Sequence, residues 1–283
     1  MEWTPYLVSF RLVSPLHIGC KKIGNLQVTR PYVTGKTLWG ALTARLVRDE
    51  GGCNYQNIGK KVDDELRLSY FYPSTDKDKV ESWPWDKVDD FNWKFIGSYV
   101  STAIKGDTAE EGSLHEVEYI SPTTRDGSPV FLVGYVFEKS GCQLKWKDAL
   151  KRIQLGGERG YGWGRVELAT SPIKVEKCFD RDIDISRHSP VISVPKHGPI
   201  LGHTSVDGLN CKGDIEPLVG RETSDKKGFG GHVSRAEVCY IPGAKVATGT
   251  TFNISSKGIW KATDQFSITS AKVDNPGNHG GSK

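Results

Sequence analysis

The sequence predicts an α+β fold, with a ferredoxin-like or RRM-like domain that carries an insertion and a β-rich C-terminal part after it. Three observations support this prediction. Apolar residues alternate as in a strand from Tyr6 to Leu12, and they then recur at helical spacing from Leu38 to Leu46. Beyond residue 172, Gly, Pro and short β-branched runs dominate, and no convincing amphipathic helix is present.

The predicted elements follow one another in a recognisable order. The first strand ends at Pro15, and Thr34 or Gly35 precedes a helix that the run 49–52 closes. The remaining elements are a strand over 66–72, an insertion over about 73–113, strands over 114–120 and 130–137 joined by a turn, a helix over 144–154, a Gly-rich loop over 155–164 and a strand over 165–170. Apart from one extra hairpin strand, this order matches a split βαβ plan.

We therefore expect three regions along the chain. Residues 1–172 form the RRM-like domain, residues 173–265 form a β-rich domain that could be a degenerate copy of the first, and residues 266–283 form a flexible tail. The six cysteines are spread singly, which suggests reduced thiols and a cytoplasmic protein. No secretory signal is visible, and no apolar run approaches the ~18 residues of a membrane span.

Charge is distributed unevenly, although the net charge is only +4. Residues 3–48 hold seven basic residues and no Asp or Glu, whereas residues 73–118 hold eleven acidic and five basic residues. A polyanion would be attracted to the first segment and repelled by the second.

Two segments could bind phosphate groups. Gly35-Lys36-Thr37 at the predicted helix start is not a P-loop, because Arg30 occupies the position of its first glycine. Free N–H groups with Lys36 and Arg30 beside them could still hold an RNA backbone, although an ordinary capped helix explains the same residues.

The second segment, GGERGYGWGR over 156–165, lacks the spacing and context of a dinucleotide-binding loop. Arg159 and Arg165 supply charge, and Tyr161 and Trp163 offer rings for base stacking. An open, basic and aromatic backbone suits single-stranded nucleic acid. The alternative is a flexible loop whose rings cover the core.

Other reactive side chains give weaker signals. His17 could be a general acid or base in RNA cleavage, or a hydrogen-bonded turn residue. The C-terminal His and Cys residues match no zinc spacing, so we expect no metal and no cofactor.

Three segments in this order resemble the RAMP (repeat-associated mysterious protein) superfamily of CRISPR effector subunits. They are Ser14–Gly19 with its HIG turn, Arg30–Arg45 leading into the first helix, and Gly156–Arg165, the glycine-rich loop before the last strand. Further segments over 217–221, 228–231 and 241–243 resemble the distal half of subunits from type III systems, notably type III-D.

The resemblance implies a subunit that binds CRISPR guide RNA, as a backbone or five-prime-capping subunit, alongside other effector subunits and optionally target RNA. The acidic insertion and the C-terminal part are expected to contact neighbouring subunits. The RNA-binding candidates are Lys21, Lys22, Arg30, Lys36, Trp39, Arg45, Arg125, Arg159, Tyr161, Trp163 and Arg165.

Catalysis is doubtful on the same resemblance. RNA-cleaving backbone subunits carry an Asp between the HIG turn and the helix, and Cys20–Thr29 holds no carboxylate. The alternatives are target-RNA cleavage by a carboxylate from elsewhere, such as Asp126, a metal-independent ribonuclease that processes precursor RNA with His17, and a protein-interaction module that binds no RNA.

Overall fold

The N-terminal part of the chain mixes helices with strands. The computed structural model describes residues 2–52, 54–80, 87–224 and 228–263. The helices are α1 (Gly35–Asp49), α2 (Tyr55–Glu65), α3 (Val88–Phe95) and α4 (Trp146–Leu150). The strands are β1 (Trp3–Leu12), β2 (Gly19–Ile23), β3 (Leu26–Thr29), β4 (Leu66–Leu68), β5 (Tyr72–Ser74), β6 (Ile96–Ser101), β7 (Ile104–Lys105), β8 (Thr108–Ala109), β9 (His115–Ile120), β10 (Phe131–Lys139), β11 (Val166–Leu168) and β12 (Ile173–Lys174).

An antiparallel sheet centred on β1 and β10 organises this part. The two strands pair from Trp3 opposite Lys139 to Arg11 opposite Phe131. The outer side of β1 pairs with β11 and β12, and the outer side of β10 pairs with β4 and β5. Helices α1 and α2 lie between β1 and β4 along the chain, and α4 lies between β10 and β11. This order of strands and helices is ferredoxin-like, which confirms the predicted fold class.

Helix α1 covers one face of this sheet. Thr34 caps the helix, because its side-chain oxygen accepts a hydrogen bond from the Thr37 N–H at 3.2 Å. The predicted stripe of Leu38, Leu42 and Leu46 is buried with Val8 and other residues of β1, together with parts of α2 and α4. Burial of this stripe fixes the start of α1, and with it the position of Lys36.

The opposite face of the sheet is covered by the C-terminal part. Leu7, Val133 and Phe137 of the first sheet share a buried core with Phe252 and Trp260 of the second. RRM domains use this sheet face to stack RNA bases on aromatic residues. In this chain that face lies inside the protein, so any RNA-binding surface must be elsewhere.

The C-terminal part is β-rich, as predicted, and among its described residues the helical geometry is limited to the single turn Ser256–Gly258. Its strands are β13 (Lys177–Cys178), β14 (Arg181–Asp184), β15 (Val191–Val194), β16 (Thr204–Ser205), β17 (Cys211–Lys212), β18 (Ile215–Ser224), β19 (Gly228–Tyr240), β20 (Lys245–Val246), β21 (Thr250–Ile254) and β22 (Trp260–Ala262). Eight of them form one sheet in the order β13-β14-β15-β21-β22-β16-β19-β18. The predicted domain boundary after residue 172 stays a prediction, and the predicted tail 266–283 lies outside the described residues.

A separate four-stranded sheet has the order β2-β3-β9-β6. The sequence did not indicate the β2–β3 hairpin, and it placed β9 in a hairpin with β10. In the structure β9 pairs with β3 and β6 instead. Helix α3 and β6 lie within the range that was predicted as an insertion or long loop. Much of this range is therefore regular structure, and β6 forms an edge of the four-stranded sheet.

Two helices differ from the sequence prediction. Helix α2 was not predicted, because only Ile58, Gly59 and Val62 are buried among its charged residues. Helix α4 spans Trp146–Leu150, which is shorter than the predicted 144–154. No helix within the described ranges is long and apolar enough to cross a membrane.

Candidate nucleic-acid interface

The Gly-rich loop over 156–165 is docked against the turn that follows β1. The Gly157 N–H donates to the His17 carbonyl at 2.9 Å, and the Gly164 N–H donates to the Pro15 carbonyl at 2.7 Å. Gly164 has φ +77°, and a Cβ at this position would lie 1.8 Å from the Leu155 carbonyl oxygen. Two sequence motifs that lie about 140 positions apart along the chain therefore form one structural unit.

The loop presents positive charge and an open ring. Tyr161 is 74% exposed, and Arg159 and Arg165 are also exposed. The guanidinium of Arg159 donates to the carbonyls of Gly156 at 3.1 Å and Gln154 at 3.0 Å. These bonds orient the side chain without neutralising it.

Arg159 also lies close to the C-terminal end of α1. Burial and then the positive charge of Arg48 lower the pKa of Arg159. Two cations near each other favour an anion at this surface.

Trp163 joins the loop to the four-stranded sheet. Its ring makes edge contacts with Tyr119 at 5.2 Å and with Tyr99 at 6.4 Å between centroids. Tyr119 lies on β9 and Tyr99 on β6, so the four-stranded sheet supports the loop through the contacts of these two rings with Trp163. Sequence reasoning missed Tyr99 and Tyr119, because they fall in or next to the acidic segment that was expected to face other subunits.

His17 is part of the support of the loop. Its ring is buried, and Nδ1 lies 2.7 Å from the Glu118 carbonyl oxygen. If Nδ1 carries the proton, Nε2 remains an acceptor beside Gly19 and Gly157. The geometry accounts for His17 as a turn residue that ties β9 to the loop.

Lys21 and Lys22 are exposed on β2, which begins two residues after His17. Neither side chain is in an ion pair with a residue that the structure describes. Lys22 pairs in register with Gln27, and Gln27 pairs with Val117, which lies opposite Tyr99. Lys22 therefore shares the sheet face on which Trp163 docks, whereas Lys21 points to the other face.

Arg30 and Lys36 lie between the two parts of the chain rather than on the loop. Arg30 forms an ion pair with Glu216 of β18. The Lys36 amino group is buried against Gly220 and has no hydrogen-bond partner among the described residues. Burial lowers the pKa of Lys36 to about 8, although the nearby carboxylate of Glu222 opposes this effect.

A cavity of about 190 Å³ opens at the start of α1 and includes Lys36 in its wall. Arg235 and Lys257 also line it, and Glu222 pairs with Lys257 at 2.5 Å. Arg235 pairs with Glu237, so Lys36 is the cation of these three that has no ion pair with a described residue, beside the N-terminus of α1, which itself favours anions.

The other three predicted RNA-binding residues are not with the loop. Trp39 is buried in the core, and its indole N–H donates to the Gly59 carbonyl at 3.0 Å. Arg45 pairs with Asp49 one turn along α1. Arg125 lies over the ring of Trp93, with 4.7 Å between the guanidinium carbon and the ring centroid.

Asp126 is occupied by its own turn. One of its carboxylate oxygens accepts hydrogen bonds from the Thr124 hydroxyl and from the Ser128 N–H, and these bonds lower its pKa. Its geometry is that of a turn-forming residue. No group of three or more His, Cys, Asp or Glu side chains that could hold a metal ion occurs in the described part of the chain.

Comparisons with known proteins give one family and several distant structures. The family described as the RAMP superfamily matches residues 9–167. No curated protein matches the sequence. A chain of the type III-B Cmr-β complex bound to cognate target RNA, solved by cryo-EM, aligns with a TM-score of 0.46 and 10% identity over 85% of this chain and 86% of that chain. A chain of the apo Cmr-β complex aligns with a TM-score of 0.37 and 12% identity over 58% of this chain and 96% of that chain.

Proposed function

This chain belongs to the RAMP superfamily, and we propose that it serves as the guide-RNA-binding subunit of a type III CRISPR ribonucleoprotein, without a catalytic role of its own. The family match covers residues 9–167, which contain all the predicted RNA-binding residues. The type III assignment depends on the resemblance of the distal segments, two of which lie in the β18–β19 hairpin.

One observation supports RNA binding above the others: the docked Gly-rich loop holds Arg159, Tyr161 and Arg165 outward on a fixed backbone. Cations for phosphates and a ring for base stacking are what a single strand requires. Backbone hydrogen bonds to the turn at residues 15–17 fix the loop before RNA binds. Less conformational entropy is then lost on binding.

The proposed RNA path uses the loop and the nearby end of β2. Arg159, Tyr161 and Arg165 contact the strand directly, Lys22 extends the positive surface, and Trp163 positions the loop. Arg30 and Lys36 lie outside this path, because Arg30 pairs with Glu216 and the Lys36 amino group is buried against Gly220. Trp39 and Arg45 are left out of the proposed site, because one is in the core and the other is paired with Asp49.

The test is a titration of single-stranded repeat RNA into the full chain, followed by fluorescence anisotropy at two salt concentrations. We expect the triple variant Arg159→Ala, Tyr161→Ala, Arg165→Ala to bind about a hundredfold more weakly, from two lost phosphate contacts and one lost stack. The variant Lys174→Ala, Lys196→Ala removes the same number of exposed cations, one from β12 and one from the segment after β15, and should bind normally. Equal affinity of the triple variant and the wild type would overturn the proposed site.

A further inference from the structure

A groove runs across the four-stranded sheet on the face opposite the Gly-rich loop. Two cavities of about 800 Å³ and about 610 Å³ share Val28, Thr29 and Pro31 in their walls. The first extends towards β18, and the second extends towards α3 and β6. Together they form the two ends of one groove over β3.

The register of the sheet shows which side chains share this face. Lys21 pairs with Val28, and Glu118 pairs with Ser98. Val28 lies two residues after Leu26, which pairs with Glu116 in the parallel ladder, so Val28 is level with Glu118. Side chains alternate along each strand, so the row that contains Tyr99 and supports Trp163 belongs to the other face.

The groove is apolar at its floor and acidic at its α3 end. Val88, Trp93 and Ile96 provide apolar surface, and Trp93 is 68% exposed. Across both cavities the charged wall residues are five carboxylates and three cations, namely Asp89, Glu116, Glu118, Asp214 and Glu216 against Lys21, Arg30 and Arg125.

Most of this negative charge is not neutralised. Asp89 and Glu116 form no ion pair with any residue in the described ranges. Glu118 accepts from the Thr29 N–H at 3.1 Å, which orients its carboxylate beside the groove. Phosphate groups would be repelled from such a surface, and basic side chains would be attracted to it.

We propose that this groove binds an extended, positively charged segment of a partner protein. The four strands span about 15–20 Å, at ~4.8 Å between neighbours. An extended peptide rises ~3.3 Å per residue, so about five or six residues would fill the groove. Its apolar side chains would contact Trp93 and Val28, and its Lys or Arg side chains would pair with Asp89 and Glu116.

The proposal assigns the two faces of one sheet to two different partners. RNA lies on the face that supports the Gly-rich loop, and the peptide lies on the groove face. Arg125, which the sequence placed among RNA-binding residues, belongs to the groove, because it lies over Trp93 and donates to its carbonyl at 3.3 Å. Peptide binding goes beyond the proposed RNA-binding role and can be tested separately from it.

The test uses phage-displayed random peptides of about ten residues, long enough to exceed the length of the groove. They are panned on the immobilised full chain, and enriched sequences are synthesised and titrated by anisotropy. We expect enriched peptides to carry Lys or Arg next to an apolar residue. The variant Asp89→Asn, Glu116→Gln should bind them about tenfold more weakly, and the matched variant Glu110→Gln, Glu111→Gln, altered outside the groove, should bind them normally.

RNA binding serves as the second measurement. Both double variants should bind single-stranded RNA like the wild type, which shows that they are folded and that the faces are independent. The proposal is overturned if no peptide is enriched, if enriched peptides are acidic or neutral, if the groove variant binds them as tightly as the control, or if RNA displaces them. None of these outcomes would change the expected loss of RNA binding in the triple loop variant, so the two proposals can fail separately.

Discussion

Tyr70 Oη lies 2.6 Å from Nδ1 of His203, and both side chains are buried at the contact between the two parts of the chain. Nε2 of the same imidazole lies 2.5 Å from the carboxylate of Glu216, which also pairs with Arg30. Tyr70 follows β4, whereas His203 and Glu216 belong to the C-terminal part. The chain of contacts therefore joins the ferredoxin-like sheet to β18 through one buried polar path.

This path predicts a loss of stability at acidic pH. Burial opposes ionisation of Glu216, but the bonds from His203 and Arg30 outweigh it and lower the pKa of Glu216 from 4.5 to about 2. Burial also lowers the pKa of His203 below 6.5. Both pKa values are depressed on folding, so the contribution of these groups is present at neutral pH. It is lost as the pH falls from 6.5 towards 2.

Urea unfolding of Glu216→Gln measures this contribution. We expect the variant to lose about 3 kcal/mol at neutral pH, since Arg30 is left without its partner. The difference between variant and wild type should shrink as the pH falls. Tyr70→Phe should lose about 1–3 kcal/mol, because it removes one buried hydrogen bond. A constant difference across the pH range would contradict the assignment of acid sensitivity to this path.

The buried Lys36 predicts a gain of stability at alkaline pH. Burial lowers its pKa to about 8 from 10.5, so folding disfavours the charged form. The folded chain should therefore gain stability as the pH rises from 8 to 10.5. Lys36→Met should be more stable than the wild type at neutral pH by about 1 kcal/mol, a value reduced for partial exposure. Urea unfolding of both proteins at several pH values measures the difference in their free energies of unfolding, which should disappear near pH 10.5.

The sequence predicted the elements whose periodicity is strong and missed those that depend on distant contacts. Helix α1 was predicted because Leu38, Leu42 and Leu46 recur at helical spacing, and the structure buries all three. The β2–β3 hairpin was missed, since β2 is exposed along its length and carries no alternating pattern.

The same limit applies to the site. The loop and the turn were each visible as motifs, but the sequence did not indicate the backbone hydrogen bonds between them. The sequence could not show that Trp39 is buried while Tyr161 is exposed, because both are aromatic residues beside basic ones. The pairing of Arg30 with Glu216 joins residues 186 positions apart, and no local pattern indicates it.

Tyr161 and Trp163 should behave differently, although both are aromatic residues of the same loop. Tyr161→Ala removes an exposed ring, so thermal stability should be unchanged while RNA affinity falls about tenfold. Trp163→Ala removes the contacts with Tyr119 and Tyr99, so both stability and RNA affinity should fall. Melting temperatures and anisotropy titrations on the same preparations separate the two effects. Equal melting temperatures for the two variants would contradict the supporting role of Trp163.

A variant of His17 tests whether the chain only binds RNA or also cleaves it. The full chain is incubated with repeat RNA in chelator, and we expect the RNA to remain intact. His17→Ala should lower RNA affinity by loosening the loop, because the imidazole contact with the Glu118 carbonyl is lost. A discrete cleavage product that His17→Ala abolishes would favour the ribonuclease alternative and contradict a non-catalytic role.

Two glycines of the loop provide the sharpest test of its backbone. A Cβ on Gly164 would lie 1.8 Å from the Leu155 carbonyl oxygen, and the residue has φ +77°. A Cβ on Gly160 would meet no atom within 4 Å. Gly164→Ala should therefore displace the loop from the turn at residues 15–17, whereas Gly160→Ala should leave it in place.

The two variants add the same single methyl group, so they differ only in whether the backbone can accept it. We expect Gly164→Ala to lower RNA affinity at least about tenfold, because Arg159 and Tyr161 lose their fixed positions and ordering them must then accompany binding. Gly160→Ala should bind like the wild type. Hydrogen exchange of the Gly157 and Gly164 amides reports the docking directly and should increase only in Gly164→Ala. If Gly164→Ala exposed these amides but kept full RNA affinity, preorganisation of the loop would not be what the RNA depends on.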